Sequence, residues 1–160
     1  MKLIPNEKTW VGFATTVPAN LGAPTAAQLT AAIELTEPLI SLTASSQGNT
    51  VPTPSLRRLF ETSINGTSSA SFTADFYRDD DAAKDIAWTT LPRGTDGVFY
   101  ISRFGGTGTG RKPIAGDEIE VWPVSVTSRS SAALTSNTAQ MFTVTCSVPD
   151  EPDEDAVVAV

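Results

Sequence analysis

Ala70-Ser71-Phe72-Thr73-Ala74-Asp75-Phe76-Tyr77 alternates apolar and polar side chains, the period of two that marks a half-buried strand. Arg78-Asp79-Asp80-Asp81 ends the alternation, and Asp81 stands where a helix over 82–91 needs its N-terminal cap. Along that segment Ala83, Ile86, Ala87, Thr90 and Leu91 fall on one face, so the spacing predicts a helix lying flat on a sheet. Pro92-Arg93-Gly94-Thr95-Asp96-Gly97 stops it, and Val98-Phe99-Tyr100-Ile101 opens a second strand, expected over 98–104.

Upstream, Thr9 to Ala14 reads as a first strand, and Thr25 with Gln28 has the spacing of a capping box for a helix lasting to Ile33. Glu37 to Leu42 is a candidate strand. The polar stretch 43–55 reads as a long loop, and a loop of that length in a compact domain is usually functional or mobile. Leu56 to Ser63 is a further candidate strand, with Asn65-Gly66 as its hairpin turn.

Downstream, a strand is expected from Gly116 to about Thr127. Its alternation changes phase between Ile119/Val121 and Val124/Val126, which predicts a bulge or bend at Trp122-Pro123, where one strand serves two surfaces or a sheet turns a corner. Residues 128–138 form a Ser-rich loop, and 140–148 the last strand, with Phe142, Val144, Cys146 and Val148 toward the core. The fold class expected is mainly β: an antiparallel β-sandwich or curved sheet with one packed α-helix. Residues 1–149 form its domain and 150–160 an acidic and then apolar extension.

The chain of 160 residues is long enough for one hydrophobic core, and 40% hydrophobic with 18% charged residues is not the composition of a disordered chain. The opening residues Met1-Lys2-Leu3-Ile4-Pro5-Asn6 lack the apolar run of a signal peptide, and no stretch has the length of a membrane span. The single cysteine, Cys146, cannot form an internal disulfide and reads as a core thiol. A net charge of −7 argues against a protein that clamps nucleic acid by neutralising phosphates.

Catalytic and ligand-binding patterns are sparse. With no histidine, the commonest general base, the Ser-His-Asp and Cys-His arrangements and most zinc sites are excluded. Asp79-Asp80-Asp81 lacks the spacing of a calcium loop and suits a helix N-terminus better. Gly105-Gly106-Thr107-Gly108-Thr109-Gly110 joins two strands without a Gly-Lys-Ser/Thr, so it reads as a flexible hairpin tip and not a phosphate cradle. No catalytic, cofactor-binding or metal-binding residue is therefore assigned, and a non-enzymatic role without cofactor is expected. A hydrolase built on carboxylates would need two facing acids that no local motif proposes.

Several of these segments together resemble the tail tube (major tail) proteins of long-tailed bacteriophages, the actinobacteriophage type above all. They are the run Phe76-Tyr77-Arg78-Asp79-Asp80-Asp81 with its short helix, the turn Arg93-Gly94-Thr95-Asp96-Gly97, Val51-Pro52-Thr53-Pro54-Ser55-Leu56, the strand Gly116-Asp117-Glu118-Ile119-Glu120-Val121-Trp122-Pro123-Val124, and the end Gln140 to Val144 with Asp150-Glu151-Pro152. The loop 105–110 and the apolar end depart from that pattern. The resemblance implies a structural virion protein of a non-contractile, siphovirus-like tail, made in the host bacterial cytoplasm. By the same resemblance its six-fold rings would stack into a tube that conducts double-stranded DNA during genome ejection. Its partners would be further copies of itself, the tail terminator, the tape measure and the tail tip, with no membrane insertion.

Under that reading the polar parity of three strands nominates Ser71, Thr73, Asp75, Glu118, Glu120, Thr143, Thr145 and Ser147 as lumen-facing, a hydroxyl-rich acidic wall with few rings for bases to stack on. The same polar faces meet bulk solvent if there is no channel. Gln47, Asn49 and Val51 in the long loop, Arg111 and Lys112 after the glycines, and Val157 and Val158 at the end are candidate inter-subunit contacts. The alternative is a β-sandwich decoration or binding module on a virion that does not polymerise.

Overall fold

The computed structural model describes residues 8–160. In chain order the elements are β1 (Trp10–Ala14), α1 (Ala26–Ala31), β2 (Ile33–Glu34), β3 (Leu39–Thr53), β4 (Thr62–Tyr77), α2 (Ile86–Thr90), β5 (Asp96–Ser102), a 3-10 turn (Thr109–Arg111), β6 (Glu118–Ser131), β7 (Met141–Ser147) and β8 (Asp153–Val157). All strands join one antiparallel sheet of order β2-β1-β5-β6-β7-β4-β3, and β8 pairs with β6 beside that path.

Apolar parity decides how the sheet bends. Phe72, Ala74 and Phe76 of β4 and Phe142, Val144 and Cys146 of β7 share a core with Phe13 of β1, Phe99 and Ile101 of β5, and Trp122, Val124 and Val126 of β6. The Phe72 and Phe99 rings stack with centroids 4.6 Å apart although β4 and β5 are not neighbours in the sheet. The sheet therefore curls on itself and encloses this first core. A second, smaller core lies on the other face of β1, β5 and β6, where Trp10, Val98, Tyr100, Ile119 and Val121 are covered by Leu29 of α1 and by Ala156 and Val158.

The two cores explain the phase change in β6. No bulge stands at Trp122-Pro123: Phe99↔Trp122 and Val98↔Pro123 continue one register. Odd residues Ile119 and Val121 enter the second core and even residues Trp122, Val124 and Val126 the first, so both faces are apolar without any slip. The irregularities fall instead at Glu120, against β8, and Thr127, against β7. Pro123 lies between those two partners, where one side of the strand has no ladder to feed.

The capping box is present. Thr25 Oγ1 accepts from the Gln28 amide at 3.3 Å and Gln28 Oε1 from the Thr25 amide at 2.9 Å. The helix expected over 82–91 is cut in two. Asp81 caps a single turn, its Oδ1 accepting from the Ala83 amide at 3.0 Å, and α2 starts only at Ile86. Arg78 Nε draws the Asp85 carboxylate inward at 2.9 Å, and Asp85 sits at φ −77°, ψ 54°, which is not helical. Ala83 and Ile86 consequently face solvent, while Ala87 and Leu91 are buried. Among the described residues both expected helices are therefore present, each shorter than its sequence span.

The segment 43–55 is not a loop. It belongs to β3, which pairs with β4 from Leu39↔Phe76 out to Thr53↔Thr62 and forms a long hairpin. Leu56 to Glu61 is its tip, not a strand, and Asn65-Gly66 lies within β4 opposite an irregularity between Gly48 and Thr50. Phe72, Ala74 and Phe76 hold β4 in register on the body, so the turn must come where both strands run out, beyond the Thr53–Thr62 hydroxyl clasp at 2.9 Å. Gly66 serves close approach: a Cβ there would meet the Asn49 carbonyl at 3.1 Å. Likewise β6 continues to Ser131, through part of the segment expected as loop, and the C-terminal apolar residues fold back on their own chain as β8 and Val158.

Candidate assembly surfaces

On β4, Ser71, Thr73 and Asp75 project from the face opposite the first core, and their direct cross-strand partners on β7 are Ser147, Thr145 and Thr143. On the other side of β4 stand Ser45, Thr43 and Ser41 of β3; beyond β7 stand Ser125, Ser128 and Ser130 of β6. Four strands thus present one hydroxyl face. Its charged group is Asp75, whose two oxygens accept from Thr143 Oγ1 at 2.6 Å and Ser41 Oγ at 2.8 Å. Ser45 and Ser71 hydroxyls meet at 3.1 Å. Tyr77 and Met141, paired with each other, close the face at one end.

Six of the eight residues nominated for a channel, Ser71, Thr73, Asp75, Thr143, Thr145 and Ser147, lie side by side here. Glu118 and Glu120 do not. They share the parity of Trp122 and so sit on the opposite face, where Glu120 Oε1 accepts from Arg103 Nε at 2.7 Å. Taking the side of β6 opposite Ile119 and Val121 as a polar face overlooked that β6 is buried on both sides. The β3 and β6 hydroxyls were missed; the alternation Ser41-Leu42-Thr43-Ala44-Ser45 was the available signal.

Two sheet edges flank this face. Among the described residues β3 pairs only with β4, and Thr127–Ser131 of β6 pairs with β7 but not with β5, whose ladder ends at Asp96↔Ser125. Beyond the face the β3–β4 hairpin continues as an arm exposed on both sides, carrying Gln47, Asn49 and Val51. Of the other nominated contacts, Arg111 is exposed, Lys112 Nζ reaches the Thr30 carbonyl at 3.5 Å, and Val157 is half exposed on β8. Val158 is 2% exposed within the second core, which corrects its nomination: its surface already covers its own chain.

The glycine-rich connection between β5 and β6 is tied down and not a loose tip. Asp117 accepts from the amides of Thr107 and Ile114, both at 2.9 Å, and from the Thr107 hydroxyl at 3.0 Å. Desolvation alone would raise its pKa, but these hydrogen bonds together lower it. Gly106 packs so closely that a Cβ would meet Pro113 at 2.3 Å.

Trp88, to which sequence reading assigned no role, is clamped between Arg78 and Arg129, whose guanidinium carbons stand 3.7 and 3.5 Å from its ring centroid. The clamp fastens α2 over Phe142, 5.0 Å from Trp88 in an edge-on contact. Among the described residues no three His, Cys, Asp or Glu side chains converge as for a metal, and no helix is long and apolar enough to cross a membrane.

The hydroxyl face is thus flanked by two open edges, with an arm beyond it. The family model described as "Phage tail tube protein" matches residues 1–160. The chain belongs to the phage tail tube protein family.

Solved structures similar to this tail tube protein include a chain of the virion of a native gene transfer agent particle, at 13% identity and TM-score 0.59, covering 96% of this chain and 100% of that one. The tail of an empty gene transfer agent particle, solved by helical refinement with C6 symmetry, aligns at 14% identity and TM-score 0.55, over 97% and 100%. The sheath-tube complex of an extracellular contractile injection system, PVC, in its extended state aligns at 16% and 0.59, over 97% and 93%. At such identities the likeness is one of fold. No curated protein matches the sequence.

Proposed function

We propose that six copies of this chain form a ring, that rings stack into the tube of a long non-contractile phage tail, and that double-stranded DNA passes through it into the host. The observation that carries the reading is the four-stranded hydroxyl face with an unpaired edge on either side. Pairing the β3 edge of one copy with the Thr127–Ser131 edge of the next continues the sheet around a closed barrel and leaves no edge within the ring. Ser71, Thr73, Asp75, Thr143, Thr145 and Ser147 then line the lumen. A wall of hydroxyls with recurring Asp75 carboxylates, and without lysine or arginine, lets a hydrated duplex slide because nothing on it neutralises phosphates.

The arm, with Gln47, Asn49 and Val51, bridges consecutive rings, and Arg111, Lys112 and Val157 contribute contacts outside the barrel. The tube works by assembly and not by catalysis, in a virion of actinobacteriophage type whose subunits are made in the host cytoplasm. The tail terminator, tape measure and tail tip complete the tail. Negative-stain electron microscopy of the purified chain over a range of concentrations, with and without tail-tip complexes, tests this. Six-fold rings or hollow tubes are expected. Discrete trimers, or a monomer that will not assemble on tail tips, would instead favour a decoration module.

A further inference from the structure

A strand that receives another chain along its edge must stay extended before that chain arrives, although the groups along the edge have no partner to hold it so. β6 meets this demand beyond Val126. Up to that residue the turn after α2 flanks the strand: the Gly94 amide donates to the Val126 carbonyl and the Val126 amide to the Thr95 carbonyl, both at 2.9 Å. From Thr127 to Ser131 no strand or turn takes over among the described residues, and the ladder runs to β7 alone. That ladder begins with a register shift between Val126 and Ser128, so the segment is irregular at its root as well as open at its side.

One side chain of the segment reaches back to the body. Thr127, Ser128, Ser130 and Ser131 are exposed, whereas Arg129 is half-buried. It lies opposite Val144 and so takes the parity of the first core. Its Nη1 donates to the Trp88 carbonyl at 2.7 Å, an acceptor in the last turn of α2, where helix carbonyls lack partners of their own. Its guanidinium carbon stands 3.5 Å from the Trp88 ring centroid, well within cation–π range. The ring is fixed from two further strands, by Phe142 of β7 edge-on at 5.0 Å and by Arg78 at the end of β4 at 3.7 Å. Asp85, 2.9 Å from Arg78, offsets one of the two like charges that share the ring. A planar guanidinium serves the ring and the carbonyl together, which the compact ammonium of lysine does not.

We propose that Arg129 is the positioning residue of the open β6 edge: seated on Trp88, it holds Thr127–Ser131 extended and competent to pair. The proposal rests on the tube reading and names the side chain on which the second edge of that reading depends. Arg129 acts through the backbone on either side of it, because its side chain points to the core side and away from the hydroxyl face. An edge that is extended for only a fraction of the time pairs with an apparent affinity lowered by that fraction.

The test compares the full chain with R129Q, R129K and, as a charge control, K84Q, whose lysine is 72% exposed. Hydrogen–deuterium exchange is read on the monomer, and sedimentation with negative-stain microscopy reads assembly. R129Q and R129K are both expected to exchange about tenfold faster across 127–132 and to need about tenfold more protein to form rings. Exchange in β4 and β5 and the melting temperature should stay as in wild type, and K84Q should match wild type throughout. R129K keeps the charge without the planar stack, so wild-type behaviour of R129K would overturn the proposal; it also decides the matter if R129Q does not fold. Unchanged exchange across 127–132 in both variants would overturn the proposal whatever the tubes do, and impaired assembly beside it would make Arg129 a direct contact instead. Faster exchange with wild-type assembly would overturn it too, and leave the tube reading standing. Failure of wild type to form rings or tubes, even on tail tips, would overturn the tube reading and the role of the edge with it, while exchange still reports whether Arg129 holds the strand.

Discussion

Two side chains show how local chemistry is committed in this protein. The Tyr100 hydroxyl lies in the second core without a hydrogen-bond partner among the described residues, and burial pushes its pKa up to about 12. A buried hydroxyl without a partner opposes folding, so Tyr100→Phe is expected to leave stability unchanged or raise it by about 1 kcal/mol, as read from the denaturation midpoint. A drop of similar size would reveal a partner for the hydroxyl. Asp117 behaves oppositely. Its folded-state pKa is depressed by the amides and hydroxyl it accepts from, so its contribution is present above the unfolded value of about 3.9 and is lost as pH falls through the folded one. Protection of the Thr107 and Ile114 amides, taken relative to intrinsic exchange, should therefore persist through the ordinary carboxylate range and be lost only at more acidic pH in the wild type. In Asp117→Asn that protection should be low already at neutral pH and unchanged by acidification. Protection unchanged by the substitution would sink the assignment.

At the scale of elements, the arm and α1 have opposite dependences on the body. α1 covers the second core with Leu29, which is fully buried, and its entry is set by the Thr25–Gln28 box. Thr25→Ala is expected to lower stability by about 1 kcal/mol in a denaturant titration. The arm buries almost nothing: from Ser46 to Ser69 only Thr53 and Thr62 are even partly covered. Replacing residues 49–67 with a two-residue Asn-Gly turn, which keeps the Gly48↔Ser68 register, should leave the melting temperature of the monomer within a few degrees of wild type while abolishing stacked tubes. A large fall in melting temperature would mean that the arm supports the body. The polar composition of 43–55 fits its exposure, Ala44 against the first core apart, but hydropathy does not separate a solvated strand from a loop. Pairing with β4 makes it a strand.

For the whole molecule, Phe72 is a side chain that bridges the two halves of the curled sheet. Phe72 of β4 stacks on Phe99 of β5 at 4.6 Å and tilts against Trp122 at 6.2 Å, across the first core. Phe72→Ala should cost about 3–5 kcal/mol, because the halves have no sheet hydrogen bonds to bring them together there and the cavity cannot collapse without uncurling. Chemical denaturation measures this, and a loss below about 1 kcal/mol would show that the halves pack independently. The same curl turns the hydroxyl face outward from the core, so assembly and stability draw on opposite sides of β4 and β7. Substituting Thr73 or Thr145 leaves the first core untouched, and substituting Phe72 does not alter the hydroxyl face.

Parity along single strands was enough to recognise β1, β4, β5 and β7, their core sides, the Thr25 capping box and half of the hydroxyl face, because the backbone alone sets a period of two and a cap is a local hydrogen bond. The family, too, was legible in the order of short segments around Phe76-Tyr77-Arg78. What required the tertiary structure was everything that depends on a second surface. Glu118 and Glu120 moved to the far face because β6 is buried on both sides; α2 was shortened because Arg78 pulls Asp85 inward; and the C-terminal valines joined their own sheet because the second core needed covering. Period and capping act between residues a few positions apart. Which of two apolar faces is covered, and by what, is decided by segments brought together from across the chain.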